Sequence, residues 1–149
     1  MSLSVLIPMY NEIEQLKHTI KKLYKIKKKI KNFEIIFIDD FSNDGSIDYV
    51  RRYSKKNSFI KVFKNKKKGL GSAIEEGIKK SKSDYICVFM CDMSDDVNDL
   101  VKYFKMIKKS KKDAIFGSRF IEGSKVKNYP LFKLLLNRVS NNLIKLIQN

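Results

Sequence analysis

The run Tyr85-Ile86-Cys87-Val88-Phe89-Met90 places six apolar residues in succession and then empties into Cys91-Asp92-Met93-Ser94-Asp95-Asp96. An apolar run of this length, bounded by polar clusters, reads as a strand buried on both faces. At its end Asp92, Asp95 and Asp96 fall within five positions, in a chain of formal charge +16. Their mutual repulsion has to be offset by a bound cation, by nearby Lys or Arg, or by water. Carboxylates at the carboxyl edge of a buried parallel strand mark the usual ligand crevice of an open α/β sheet. A hard, oxygen-preferring cation such as Mg²⁺ or Mn²⁺ suits them. A plainer role is open to the same residues, because Ser and Asp are preferred helix N-caps and acids favour the first helical turn. Capping accounts for Asp95 or Asp96 ahead of a helix beginning near Val97, but not for Asp92, which precedes the turn.

The same unit recurs along the chain. Leu3–Ile7 is a β-rich run stopped by Pro8, and after Tyr10-Asn11-Glu12 the apolar residues Ile13, Leu16, Ile20, Leu23, Ile26 and Ile30 recur at three- and four-residue steps. That spacing predicts one face of an amphipathic helix. Phe33–Ile38 repeats the strand pattern and ends in Asp39-Asp40-Phe41-Ser42-Asn43-Asp44-Gly45-Ser46, where Ser46 is placed to cap a helix carrying Ile47, Val50 and Tyr53. Phe59–Phe63 leads into Gly69-Leu70-Gly71 and a third helix, Tyr85–Met90 into a fourth carrying Val97, Leu100, Val101, Phe104 and Ile107, and Asp113–Phe116 reads as a fifth strand. Strands alternating with helices predict an α/β fold on a parallel sheet. Residues 131–149 read as an amphipathic helix, for which packing on the sheet is favoured over lying on a membrane surface.

One domain spanning 1–149 is the expectation for a chain of this length. No apolar run approaches the roughly 20 residues of a membrane span, and Met1-Ser2-Leu3-Ser4-Val5 lacks the charged start of a signal peptide, so a cytoplasmic location is expected. Cys87 and Cys91 with a single His18 make no zinc constellation and read as buried thiols. The pI near 9.8 favours anionic partners: nucleic acid, phosphorylated ligands or an anionic membrane surface. Of 32 basic residues only Arg51, Arg52, Arg119 and Arg138 are Arg, so an Arg beside a candidate site carries more information than a Lys. The Lys residues are dispersed, aromatics sit mostly in predicted strands and no nucleic-acid motif occurs, which argues against a nucleic-acid partner.

Five features thus sit at strand ends: Pro8-Met9-Tyr10-Asn11-Glu12, Asp39-Asp40 with Ser42-Asn43-Asp44-Gly45-Ser46, Gly69-Leu70-Gly71, Cys91–Asp96, and Gly117-Ser118-Arg119-Phe120. In this order they resemble family 2 glycosyltransferases of the GT-A fold, most closely the branch of dolichol-phosphate mannose synthase and polyprenyl-phosphate sugar transferases. The resemblance implies a Rossmann-like, mostly parallel sheet flanked by helices, truncated here on the C-terminal acceptor side. It implies transfer of a sugar from a UDP- or GDP-sugar to an acceptor such as a polyprenyl phosphate or another glycan acceptor, metal-assisted and with inversion. Such a protein would work in cell-envelope glycan biosynthesis, in the cytoplasm or peripherally at the cytoplasmic membrane face. The alternatives are an inactive or partner-dependent nucleotide-sugar-binding subunit and, less favoured, a basic nucleic-acid-binding protein.

Residue by residue, Pro8, Tyr10 and Glu12 match the loop that holds the base and ribose, Asp40 matches the acid that reads the base, and Gly69, in a glycine pair that lets backbone come close to a ligand, is a further nucleotide-binding candidate. A carboxylate accepts hydrogen bonds from base N–H groups, and an aromatic ring offers a stacking face. Asp92 matches the second acid of the family's Asp-x-Asp metal motif. Met90 stands where the first acid belongs, leaving Asp95 or Asp96 to complete a site for Mg²⁺ or Mn²⁺. Arg119 matches a basic residue that faces the acceptor phosphate or the diphosphate, and Lys133 and Arg138 are further candidates for the acceptor phosphate. Asp92 and Arg119 are the residues expected to carry catalysis.

Overall fold

Each of the first four apolar runs becomes a strand, and each is followed by the helix its spacing predicts. The computed structural model describes residues 1–92, 94–117 and 131–147, in two compact units, Met1–Lys111 and Lys112–Asn149. The first unit runs β1 (Leu3–Met9), α1 (Ile13–Lys27), β2 (Phe33–Asp39), α2 (Ser46–Lys56), β3 (Ile60–Lys64), α3 (Leu70–Lys80), β4 (Tyr85–Val88) and α4 (Val97–Lys109). The four strands form one parallel sheet in the order β3-β2-β1-β4. The sequence order therefore moves outward from β1 to β3 and then returns to the other side of β1. That reversal between β1 and β4 is the point at which sheets of this kind open a crevice beyond their carboxyl ends.

The alternation of side chains divides the core in two. Val5, Ile7, Met9, Ile35 and Phe37 face a layer built from Leu16, Ile20, Leu23 and Ile26 of α1, Val50 of α2 and Leu100 and Phe104 of α4. Leu6, Ile36 and Ile38 face Ala73 of α3. Gly77 shows why α3 comes so close: a Cβ there would stand 3.0 Å from the Leu6 side chain. Pro8 costs the sheet little. Tyr85 and Phe89 donate their amides to the Ser2 and Leu6 carbonyls, so even-numbered β1 residues address β4, and Pro8 lies beyond the last β1–β4 pair, Leu6 with Val88. Glu34, an acid inside an otherwise apolar run, accepts from Ser4 Oγ and from Lys61 Nζ at 2.6 Å on the neighbouring strands.

Three expectations are corrected. Asp113–Phe116 forms no strand, and Phe116 is 89% exposed. A four-residue run behind a Lys-rich lead has no helical or alternating pattern of its own, so only pairing would make it a strand. β4 is not buried on both faces: Tyr85 and Cys87 are half-buried, whereas Ile86 and Val88 are exposed. The reason is that α3 lies over β1 and β2. Ser46 does not cap α2. The N-cap is Gly45 at φ 89°, and Ser46 is the first helical residue.

In the second unit, α5 spans Leu131–Ile147. It exposes Phe132, Leu135, Leu136, Val139 and Leu143, a row at helical spacing. No helix among the described residues is long and apolar enough to cross a membrane.

Candidate active site

Four loops leave the carboxyl ends of β1 to β4, and hydrogen bonds stitch together those after β1, β2 and β3. Asn11 donates its amide to Ser42 Oγ at 3.0 Å and accepts the Asn43 amide on its Oδ1 at 2.9 Å. Glu12 donates its amide to Ser46 Oγ at 2.9 Å. Asp44 accepts the Ile13 amide on one oxygen and the Ser46 amide on the other, at 3.0 and 2.9 Å. Those two amides are the first N–H groups of α1 and α2, which have no intrahelical acceptor. One carboxylate thus holds both helix N-termini, where the helix dipoles favour negative charge. Burial works to raise the Asp44 pKa, and the hydrogen bonds from Ser46 and Ile13 outweigh it and hold the group below its ordinary value.

Asp40 and Gly69 meet directly. The Gly69 amide donates to both carboxylate oxygens of Asp40 at 3.0 Å, and Asn65 Nδ2 donates to Asp40 Oδ1 at 2.8 Å. Asn65 also holds the Lys67 carbonyl at 2.6 Å, so the β3–α3 loop is wrapped onto the tip of β2. Gly69 sits at φ 129°, ψ 146°, a conformation essentially reserved for glycine. Beside it, Lys68 Nζ lies 5.2 Å from the centre of the exposed Tyr10 ring, within cation–π range. The sequence did not single out Asn65 or Lys68. Asn65 stands ahead of a lysine run, and nothing in its spacing marks it as the residue that fastens that run to Asp40.

Glu12 ends the β1 loop as the N-cap residue of α1, but its side chain makes no capping hydrogen bond. Its pKa is raised by burial first, then by the charges of Asp92 and Asp44, so these three acids share one neighbourhood at the tips of β1, β2 and β4. Asp92 is exposed, and its Oδ1 accepts the Ser94 amide at 2.9 Å. The other two acids of that loop are committed elsewhere. Asp95 Oδ2 accepts the Met90 amide at 2.7 Å and closes the loop on itself. Asp96 is the N-cap of α4 and accepts the Asn98 amide at 2.7 Å. The acidic cluster therefore divides into a cap, a loop closure and one acid turned to solvent. Burial pushes the Cys87 thiol up to about 11 and the Cys91 thiol up to about 12, which makes both inert as nucleophiles near neutrality. His18 is exposed on α1.

The donor set fits a divalent cation in the company of phosphate. Among the described residues no group of three or more His, Cys, Asp and Glu could hold a metal ion. Mg²⁺, however, is commonly bound through one or two carboxylates and completes its shell with substrate phosphates and water. Glu12 and Asp92 are oxygen donors of that kind, and Glu12 is electrostatically unsatisfied.

Asp39 is 2% exposed, and its Oδ1 is the buried side-chain oxygen without a hydrogen-bond donor among the described residues. Arg119 and Asn128-Tyr129-Pro130 lie outside the described residues, as does the side chain of Arg138, while Lys133 is exposed on α5 in the second unit. A groove of about 530 Å³ lies beside the strand tips, along α2. It is lined by Asp44, Asp48, Arg51, Arg52 and Lys55 and does not include Tyr10, Asp40 or Asp92. Its Arg51 is paired with Asp48 at 2.9 Å and its Arg52 lies over Tyr49, so both of its arginines are already engaged.

Phe41, which the sequence also left without a role, has a backbone φ of 65°, and its side chain is 54% exposed. For a bulky residue the left-handed region costs about 1–2 kcal/mol. The same region at Asn11, φ 54°, is better tolerated, because Asn enters it readily.

The chain is similar in sequence and in fold to known proteins. Over 138 residues the chain is 32% identical to a dolichol-phosphate mannosyltransferase of Pyrococcus furiosus, covering 93% of this chain and 39% of that protein. Over 118 residues it is 31% identical to a cholesterol galactosyltransferase of Borreliella burgdorferi, covering 79% of this chain and 32% of that one. The chain thus spans 32–39% of the length of these relatives. The mannosyltransferase PcManGT of Pyrobaculum calidifontis, solved in complex with GDP-Man and Mn²⁺, superposes with a TM-score of 0.61 at 18% identity, over 69% of this chain and 31% of that one. The fold is the GT-A arrangement, an α/β parallel sheet flanked by helices. The model of glycosyl transferase family 2 matches residues 4–148, and the chain belongs to that family.

Proposed function

We propose that this chain binds a UDP- or GDP-linked sugar at the tips of β1 to β4 and is the donor-binding part of an inverting glycosyltransferase. The observation that carries this reading is the meeting of three separately expected features in one loop cluster. Asp40 holds Gly69, Lys68 covers one side of Tyr10, and Glu12 shares its surroundings with Asp92. The names of the relatives support an activated-sugar donor, and the polyprenyl-phosphate acceptor is supported by the first of them.

In this reading Tyr10 offers an aromatic face to the base, and Asp40 accepts from base N–H groups while its other bonds fix the loop of Gly69. Asp92 and Glu12 would hold Mg²⁺ or Mn²⁺ beside the diphosphate of the donor. Bound there, the cation would supply positive charge against the negative charge of the departing diphosphate. Lys68, over the Tyr10 ring, adds a cation on the base side of the site. The bond between the anomeric carbon and the diphosphate oxygen breaks, its electron pair leaves with the nucleotide, and the acceptor oxygen forms the new bond from the opposite side. A phosphate acceptor, with its second pKa near ~6, is already ionised at neutral pH and needs no general base. Arg119, Lys133 and Arg138 are the proposed contacts to that phosphate, and the acceptor would approach from a membrane surface. Asp95 is the lesser metal ligand, because it is less exposed than Asp92 and its bond to the Met90 amide closes the loop.

The test is a calorimetric titration of UDP-sugars and GDP-sugars with Mn²⁺ into the protein and into Asp92→Asn. Binding of one nucleotide family that weakens at least tenfold in the variant supports the assignment. Absence of binding by either nucleotide, or equal affinity in the variant, removes it.

A further inference from the structure

Phe41 is the one described bulky residue held in the left-handed region, and it follows directly on Asp40. Its backbone is fixed from both sides. The Asp40 amide donates to the Met9 carbonyl at 2.9 Å, and Ser42 and Asn43 are bonded to Asn11 across the gap between the loops. The chain has glycine available for positions of this kind and uses it at Gly45 and Gly69, both at positive φ. At 41 it keeps an aromatic ring, and more than half of that residue is in solvent. Neither conformational preference nor burial explains the choice. Strain that the surroundings enforce, at an exposed residue inside a candidate site, is the pattern expected where a side chain is positioned for a ligand.

What the ring addresses follows from its neighbours. In the β1–β2 alignment the last pair is Met9 with Asp39, after which Tyr10 and Asn11 continue one chain segment and Asp40 and Phe41 the other. Two exposed aromatics, Tyr10 and Phe41, thus follow the ends of two adjacent strands, with Asp40 immediately before the second. Lys68 lies over the Tyr10 ring. A ligand with a flat heteroaromatic ring and N–H donors would use all three groups, whereas the diphosphate and cation belong with Asp92 and Glu12. We propose that Phe41 is a base-contacting residue that strengthens and selects nucleotide binding, and that its strained backbone is maintained for that contact. This inference rests on the nucleotide-sugar reading above.

The experiment compares the parent protein, Phe41→Gly and Phe41→Tyr in two measurements, the melting temperature without ligand and calorimetric affinity for UDP, GDP and inorganic pyrophosphate in the presence of Mn²⁺. Phe41→Gly should melt no lower than the parent, since glycine adopts φ 65° freely. It should bind the preferred nucleoside diphosphate about 5- to 100-fold more weakly, the range for losing one aromatic contact to a base. Its pyrophosphate affinity should stay within twofold of the parent, and Phe41→Tyr should retain nucleotide affinity. A glycine variant that binds the nucleotide as tightly as the parent overturns the inference while leaving the donor-site reading intact. So does one that melts clearly lower, or that loses pyrophosphate and nucleotide in equal measure, because the ring would then be a packing element of the loop. If the parent binds neither UDP nor GDP, the donor-site reading itself fails and this inference falls with it.

Discussion

At the scale of single residues, the site is built from acids in unlike states. Asp44 spends its charge on two helix N-termini and is held below its ordinary pKa. Glu12 caps nothing with its side chain and is held above its own, by burial and by the charges of Asp92 and Asp44. The two have opposite consequences for stability. Glu12 binds its proton more tightly in the folded protein than in the unfolded chain, so the stability it contributes is fully present below the unfolded value of 4.5. That contribution is lost as pH rises through the raised folded value. Glu12→Gln removes the loss. Its melting temperature should match the parent near pH 4 and exceed it at pH 7, and a variant that melts lower than the parent at pH 7 would show that Glu12 is stabilised by a partner instead. Asp44 behaves the other way, contributing stability above its unfolded value of 3.8 that is lost as pH falls through the lowered folded value.

At the scale of elements, strand and helix identity was largely legible, because buried parallel strands read as apolar runs and α1 to α4 each carry an apolar stripe. What the pattern could not supply was layer occupancy. Ile86 and Val88 are as apolar as Ile36 and Ile38, yet only the second pair lies beneath α3, since coverage depends on where a helix is placed and not on strand composition. The acids after β4 show the same limit. Their sequence leaves a cap or a ligand open at Asp95 and Asp96, and only the loop path assigns Asp96 to the α4 cap, Asp95 to the Met90 amide and Asp92 to an exposed place where it accepts the Ser94 amide. Asn65 and Phe41 were illegible for a different reason, because their significance lies in a hydrogen-bond partner and in a backbone angle, neither of which leaves a periodic trace. The cap assignment is testable. Asp96→Ala should destabilise the protein by about 1 kcal/mol in denaturant unfolding, with nucleotide affinity unchanged. A loss of Mn²⁺-dependent nucleotide binding at constant stability would instead make Asp96 a ligand.

At the scale of the whole molecule, the question is whether a chain of net charge +16 attracts anions diffusely or at one place. Its basic residues lie on several helices, including the ends of α1, α2, α3 and α4, while the strand tips gather Glu12, Asp44 and Asp92. A diffuse field raises encounter rates and binds any polyanion, and its effect collapses with added salt. A specific site also stabilises the fold, because a ligand that binds only the native state shifts the unfolding equilibrium. At one hundred times Kd the gain is about 2.7 kcal/mol, which for a domain of this size raises the melting temperature by roughly 8 °C. The preferred UDP- or GDP-sugar with Mn²⁺ should therefore produce a shift of that order which largely survives in 0.3 M salt. A single-stranded oligonucleotide carrying the same phosphate concentration should be retained at low salt only and leave the melting temperature within about 1 °C. The reverse result, stabilisation by the oligonucleotide and none by any nucleotide sugar, would make the dispersed lysines the functional surface and leave the acids at the strand tips as loop architecture alone.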